Sequence, residues 1–313
     1  MKPRTGDVLS WDNVTEPLQP TYSLSQVYDK LTQRNLGVYN KIEQKKIRAA
    51  SVAIIGVGCD GGMDAYILAR MGVGKLVLVD FDVNELSNLN RQPMSTFSTL
   101  GLPKVLAAKA ILHDMNPLVK VEAVNKAVEE DNAEKIVKKA DVVLQCTDSM
   151  VARIVTVRAC IKAKKPCIVM TGQPPFRSFV STILSPGPSY EELFNIGFVK
   201  GKLFKGNPKL VGKVRGLKRE RALHANKLRA SEGWLQKYLM AEAGWGITPE
   251  RAYLTSVYQV HEALALITGR SPKAVAPRAF VSDLNGLSEF GRPDVIAALL
   301  DPPNGRWWDY RMF

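Results

Sequence analysis

The sequence predicts an α/β fold: a doubly wound, mostly parallel Rossmann-like sheet with an antiparallel extension and a crossover segment. Three observations predict it. Short apolar runs alternate with helical patterns from about residue 50 to residue 172, the order expected of parallel strands with helices on both faces. A glycine-rich turn, GVGCDG at 56–61, follows the first apolar run and opens a helix. Beyond Gly172 the stretch FRSFVSTILSPG alternates apolar and polar residues, which suggests antiparallel strands.

Residues 1–25 are polar, with Pro3, Pro17 and Pro20, and read as an extended arm. Residues 26–49 read as helix in two pieces parted by Gly37, so 1–48 form an N-terminal arm and helices. One domain, 49–313, follows. SVAIIG is its first buried strand, and GMDAYILARMG a helix with Met63, Tyr66, Ile67 and Met71 at helical spacing. GKLVLVD is the second strand. LPKVLAAKAILHDMN is a helix stopped at Asn116-Pro117. VKVEAVNK alternates as a strand, NAEKIVKKA is helical, and DVVLQCTD is an apolar strand. MVARIVTVRACIKAKK is a long helix and PCIVMTG another strand. Residues 200–246 form a basic helical crossover insertion. ITPERAYLTSVYQVHEALALITG is a long helix, with Thr248 at the N-cap, Pro249 in the first turn and Gly269 past the end. AVAPRAFVSDLNG holds a strand or two, before a short helical tail rich in Trp and Pro.

With 313 residues and 46% hydrophobic content, the chain can bury a substantial core. Its charged fraction of 23% excludes wholesale disorder. No run of 18 apolar residues exists to span a membrane, and MKPRTGDVLSWDN lacks the apolar centre of a signal peptide. We expect a cytoplasmic protein. Cysteines 59, 146, 160 and 167 fit neither a disulfide framework nor a C-x-x-C zinc pair. The last three read as small buried hydrophobes. Residues 200–229 hold eleven Lys or Arg and one acid, Glu220, and so carry +10 of the +13 net charge. A patch of this kind implies an anionic partner.

The glycine turn carries the first chemistry. Gly56 allows a tight turn, Gly58 lets backbone N–H groups approach a phosphate, Gly61 completes the pattern, and the helix N-terminus adds partial positive charge. Asp80, 19 residues past Gly61 at the end of the second strand, can accept hydrogen bonds from a ribose. These features suit NAD and ATP alike. The stretch FDVNELSNLNRQ at 81–92 adds Asn88, Arg91 and Gln92. Attack on ATP builds charge on departing pyrophosphate, which calls for fixed cations and Mg²⁺. Arg91, Lys104 and Arg34 could supply the cations, and Asp148, at the end of DVVLQCTD, could hold the metal.

SVAIIGVGCDGG, LVDFDVNELSNLNRQ, GLPKVLAAKAILHDMNP and DVVLQCTDSMVAR resemble, in order, the ThiF/MoeB/HesA family, bacterial relatives of ubiquitin-activating enzymes. RNLGVYNKIEQKKIRAASV and SVYQVHEALALITG resemble its helical lead-in and closing helix. The resemblance implies ATP-dependent adenylation of a carboxylate, usually at the C-terminus of a small ubiquitin-like protein, by a homodimer. It implies that Asp80 binds the ribose. Asn88, Arg91 and Lys104 would bind phosphates with Gln92 in support, and Asp148 would bind Mg²⁺. Arg34 resembles an arginine that reaches into the partner subunit's site.

The chain departs from the family's pattern in three places. The loop carries Cys59 and Asp60 where the family has glycine and an aliphatic residue. An acid beside a phosphate cradle opposes anion binding unless it turns away or caps the helix. Cys59, at a helix N-terminus, is a candidate reactive thiol. PSYEELF stands where members carry zinc-binding cysteines, so no zinc is expected, and residues 168–313 contain no cysteine to form a thioester. The expected product is therefore an acyl-adenylate passed to another nucleophile. The expected partner is an acidic peptide or small ubiquitin-like protein. RNA is a less favoured one, because aromatics are sparse near the basic segment, so a tRNA-modifying adenylating enzyme is the second reading. An inactive nucleotide- or NAD-binding interaction protein is the alternative of a different class.

Overall fold

Residues 23–173, 177–225, 233–240 and 246–284 are described by the structure, a computed structural model. The tail expected after residue 284 lies outside the described residues.

Two helices lead in, α1 (Leu24–Thr32) and α2 (Lys41–Ala49), each started by a capping box, Ser23 with Gln26 and Asn40 with Glu43. Both dock on the C-terminal end of α3 (Cys59–Met71). That end leaves backbone carbonyls without helical partners. Tyr28 donates to the Gly72 carbonyl at 3.1 Å, and Asn35 and Gln44 donate to that of Met71 at 3.2 and 2.9 Å.

A seven-stranded sheet follows, in the order β3-β2-β1-β4-β5-β6-β7. Its strands are β1 (Ser51–Ile55), β2 (Lys75–Val79), β3 (Lys120–Val124), β4 (Val142–Gln145), β5 (Cys167–Gln173), β6 (Arg177–Ile183) and β7 (Phe280–Asp283). The first five pair in parallel, while β6 and β7 add antiparallel at one edge. The expected fold class is thus the observed one. Beyond β1 the chain builds outward through β2 and β3, then returns to place β4 on the other side of β1. The order reverses at this point, and a crevice opens above the C-terminal ends of β1 and β4.

Alternate residues divide two cores. Val52, Ile54, Leu76, Leu78 and Leu144 face Leu68 of α3, Leu112 of α4 (Lys104–Met115) and Val260 of α10 (Pro249–Thr268). Ala53, Ile55, Val77, Val79 and Val143 face Ile136 of α5 (Ala133–Val137), Ile154 of α6 (Met150–Lys162) and Tyr190 of α7 (Tyr190–Leu193). The basic segment begins α8 (Pro208–Ala225), which packs Leu210, Val214 and Leu217 on that second core, and continues to α9 (Trp234–Leu239).

The long helix α10 starts at Thr248 and ends at Gly269 in the left-handed region, although the Thr248 hydroxyl makes no capping bond. Its buried face is polar in places. Gln259 donates to the Ile168 carbonyl of β5 at 3.0 Å. Glu262, fully buried, accepts from the Thr182 hydroxyl at 2.8 Å and from the Lys273 and Ala274 N–H groups at 2.8 and 3.0 Å. This carboxylate ties α10 to β6 and to the segment leading into β7. Glu262→Leu strands the buried Ala274 N–H and Thr182 hydroxyl and is expected to destabilise by about 3 kcal/mol or more in urea unfolding, whereas Glu262→Gln, which keeps an acceptor, costs less.

Candidate active site

The crevice at the switch point is a cleft of about 1260 Å³. Gly56, at φ +92°, turns the chain out of β1. A Cβ there would lie 2.8 Å from the Thr147 backbone nitrogen, so the turns after β1 and β4 touch only because this position is glycine. Gly58 is the N-cap of α3 and lines the cleft. Gly61 does not line it. A Cβ on Gly61 would stand 1.9 Å from the Gly56 carbonyl oxygen, so this glycine packs helix against turn.

Asp80 leaves β2 pointing at the loop. Its carboxylate accepts the Val57 N–H at 2.7 Å and the Asp82 N–H at 2.9 Å, and also lines the cleft. It holds the loop's shape from below. The chain then turns through Leu86–Asn88. Asn88 is buried and accepts the Glu85 N–H at 3.1 Å, while its carbonyl receives the Arg91 and Gln92 N–H groups at 3.1 and 2.9 Å. The Arg91 guanidinium, half-buried, donates to the Ser87 carbonyl at 2.7 Å and to Asn90 at 2.8 Å. Gln92 is buried at the cleft wall with its side-chain oxygen unpartnered. Lys104 opens α4 and is 8% exposed, an uncommon burial for lysine. Its ammonium meets Asp82 at 3.1 Å. Asp148 follows β4, is exposed, and lines the same cleft.

Asp80, Asn88, Arg91, Gln92, Lys104, Asp148, Gly56 and Gly58 are thus brought to one cleft. Arg34 is not. It is exposed on the turn Gln33–Asn35, which docks at the C-terminal end of α3. The glycine loop lies at the other end of that helix, about 20 Å away.

Two expectations at Cys59 and Asp60 need correction. Burial and the neighbouring Asp60 push the Cys59 thiol up to about 12, and it donates to the Arg91 carbonyl at 3.0 Å. It is a packed thiol, not a reactive thiolate. Asp60 does not cap α3, because Gly58 holds the N-cap and has no side chain to offer. The acid sits in the first turn, 6% exposed, with Oδ1 unpartnered. Burial raises it to about 6, against the pull of Arg251 and Arg153. Below it lies Asp64, fully buried and raised well above the usual carboxylate range, which accepts the Cys146 thiol at 3.1 Å.

Sequence reasoning missed the brace that holds these turns. Ser256 of α10 donates to the Asp60 carbonyl at 3.0 Å, and Tyr253 donates to the Arg91 carbonyl at 3.0 Å. Arg153 of α6 donates to the Thr147 carbonyl at 2.8 Å and to Thr171 at 3.0 Å. One signal was available. Thr255, Ser256, Gln259 and Glu262 recur at helical spacing on the face that also carries Val260 and Ala263, and polar residues on a buried face need partners.

The basic segment enters the cleft at its start. Glu130 accepts the Phe204 and Lys205 N–H groups at 2.9 and 3.0 Å, and Lys205 pairs with Asp131 at 3.0 Å. Phe204, Lys205 and Arg215 line the cleft beside Lys126. The side chains of Lys218, Arg219 and Arg221 lie outside the described residues. Carboxylates are numerous on the same walls, Asp82, Glu85, Glu129 and Glu130 among them. Among the described residues, no three His, Cys, Asp or Glu side chains cluster to share a metal ion. No described helix is long and apolar enough to cross a membrane.

Comparison with known proteins gives the setting. The molybdopterin-synthase adenylyltransferase of Haemophilus influenzae is 38% identical over 125 residues, 40% of this chain and 51% of that protein. The chain thus spans about half the length of the curated relatives it matches. Among solved structures, the E. coli tRNA N6-threonylcarbamoyladenosine dehydratase TcdA in complex with ATP superposes with a TM-score of 0.57 at 20% identity, over 79% of this chain and 98% of that one. E. coli MccB with MccA superposes with a TM-score of 0.57 at 17% identity, over 78% and 63%. These two share the fold. Residues 31–298 match the ThiF family, and the chain belongs to it.

Proposed function

We propose that this chain binds Mg²⁺–ATP in the switch-point cleft and adenylates a carboxylate on an acidic peptide or small ubiquitin-like protein. The observation that carries this reading is Lys104. A lysine so deeply buried at a cleft wall, paired with the half-exposed Asp82 and sharing the cleft with Arg91 and Asp80, points to a charge held for a ligand. Asp80 would hold the ribose while keeping the loop in shape. The N-terminus of α3 and Gly58 would meet phosphate, with Asn88, Arg91, Gln92 and Lys104 around it. As phosphates arrive, Lys104 would exchange its ion pair with Asp82 for one with the ligand.

Mg²⁺ fits the site. One exposed carboxylate beside bound phosphates is its usual setting, and Asp148 offers that carboxylate in the same cleft. The many carboxylates on the walls also favour a nucleotide whose charge is already partly neutralised. The metal would draw charge from the phosphates as pyrophosphate departs. The chain's own groups would orient the α-phosphate toward the incoming carboxylate oxygen. The mixed anhydride so formed would pass to a nucleophile supplied by another molecule. Neither Cys59 nor Cys146 suits that role, since burial holds both thiols protonated. Arg34 would serve the cleft of a second copy in a homodimer.

The acidic partner follows from Lys126, Lys205 and Arg215 at the mouth. RNA would meet the same cations, but among the described residues Phe81, Phe204 and Tyr238 are the aromatics that line this cleft, few for stacking on bases.

Thermal unfolding tests the nucleotide reading. Mg²⁺–ATP at about a hundredfold its dissociation constant should stabilise the protein by about 2.7 kcal/mol, with no shift from NAD⁺. Arg91→Ala should abolish that gain, and Asp148→Ala should remove its dependence on Mg²⁺. A shift with NAD⁺ alone would overturn the assignment. For the partner, Lys126→Ala with Arg215→Ala should weaken binding of an acidic probe peptide about tenfold at low salt and flatten its salt dependence. Unchanged binding would make the mouth a solvated face.

A further inference from the structure

The acid in the phosphate loop is the group that this mechanism leaves unused. Asp60 occupies the first turn of α3, two residues past Gly58, and lines the cleft. An ionised carboxylate there would oppose the phosphate that the helix N-terminus attracts. It has not been turned out to solvent, being 6% exposed. Its Oδ1 is buried without a hydrogen-bond partner. Its backbone is locked from above by Ser256.

We propose that Asp60 makes phosphate binding at this loop a proton-coupled event: nucleotide is held with the Asp60 carboxyl protonated, its O–H serving as a donor. One proton is taken from solvent for each nucleotide bound, and is returned on release. The protonated acid removes a repulsion and adds a hydrogen bond where the ionised acid has only a charge. The inference rests on the proposed ATP site and deepens it, because it assigns Asp60 as the residue that sets which charge state of the site accepts phosphate.

The surroundings fix the sign. Arg251 from α10 and Arg153 from α6 favour the ionised form. Burial raises the carboxyl of Asp64, one turn along α3, well above the usual range, and raises the thiols of Cys146, just after β4, and Cys59, beside it, as well. Burial prevails over these arginines, and Asp60 ionises at about 6. A bound phosphate anion raises that value further. Between the two values, each unit of pH therefore weakens nucleotide binding about tenfold. Affinity is full below pH 6 and declines above it.

The test is calorimetric titration with Mg²⁺–ATP from pH 5.5 to 8.5, in buffers of differing ionisation enthalpy. Wild type should lose affinity about tenfold per unit above about pH 6.5 and take up close to one proton per nucleotide. Asp60→Asn and Asp60→Leu should bind with nearly flat pH dependence and no proton uptake, and Asn should bind at least tenfold more tightly than wild type at pH 8. Asp60→Leu, bearing the aliphatic residue usual in the family, guards against an unfolded Asn variant. Equal pH slopes in wild type and both variants would overturn the proton coupling while leaving the ATP site intact. No binding by any of the three at any pH would remove the ATP reading and this inference with it.

Discussion

Gly56 stands where any side chain would overlap the backbone of Thr147, and this contact between two turns fixes everything around it. The turn after β1 carries the start of α3, and the turn after β4 carries Asp148. Bringing them together makes a crevice whose walls come from both halves of a reversing sheet. Gly61 repeats the device one turn later, letting α3 rest on the Gly56 carbonyl. The N-terminus of α3 and the carboxylates of Asp80 and Asp148 can then share one cleft, although the sequence spreads the walls over ninety-three residues, from 56 to 148.

Holding this geometry takes buried polar bonds rather than apolar packing alone. Asp80 accepts two backbone N–H groups and so works on the loop before it works on any ligand. Tyr253 and Cys59 converge on a single carbonyl, that of Arg91. Such bonds fix orientation, since a hydrogen bond weakens quickly when its angle departs from straight. Under the proposed function, a cleft aligning a phosphorus atom with a carboxylate oxygen gains more from this than from another buried methyl group.

Much of the architecture was legible because its signals are local. SVAII, KLVLV and VVLQ read as strands from a few consecutive residues, and each became one. The glycine loop with Asp80, and the run from Asn88 to Lys104, fall within fifty residues and meet within the cleft. Asp60 was visible as an anomaly but not as a buried acid. Arg153 and Arg251, which set its environment, come from helices remote in the chain. The same holds for Glu130, whose carboxylate anchors the start of the basic segment from 74 residues away. Nothing in a run of lysines indicates that their backbone will be held by an acid on another loop. Arg34 carries the opposite lesson. Its motif was readable, yet its place on the far side of α3 follows only from where α1 and α2 dock.

The bond from Ser256 to the Asp60 carbonyl spans 196 residues, and those joining Arg270 to Glu43 span 227. As the chain emerges from a ribosome, the first four parallel strands can pair long before α10 exists. During that interval the carbonyls of Asp60, Arg91 and Ile168 lack their donors from α10, and a large apolar sheet surface waits uncovered. At about 5–20 residues per second, the delay from Ile168 to Gly269 lasts seconds. Until α10 is made, nothing later in the chain can cover this flank. One helix, α10, supplies both the cover for the flank and the Tyr253, Ser256 and Gln259 donors.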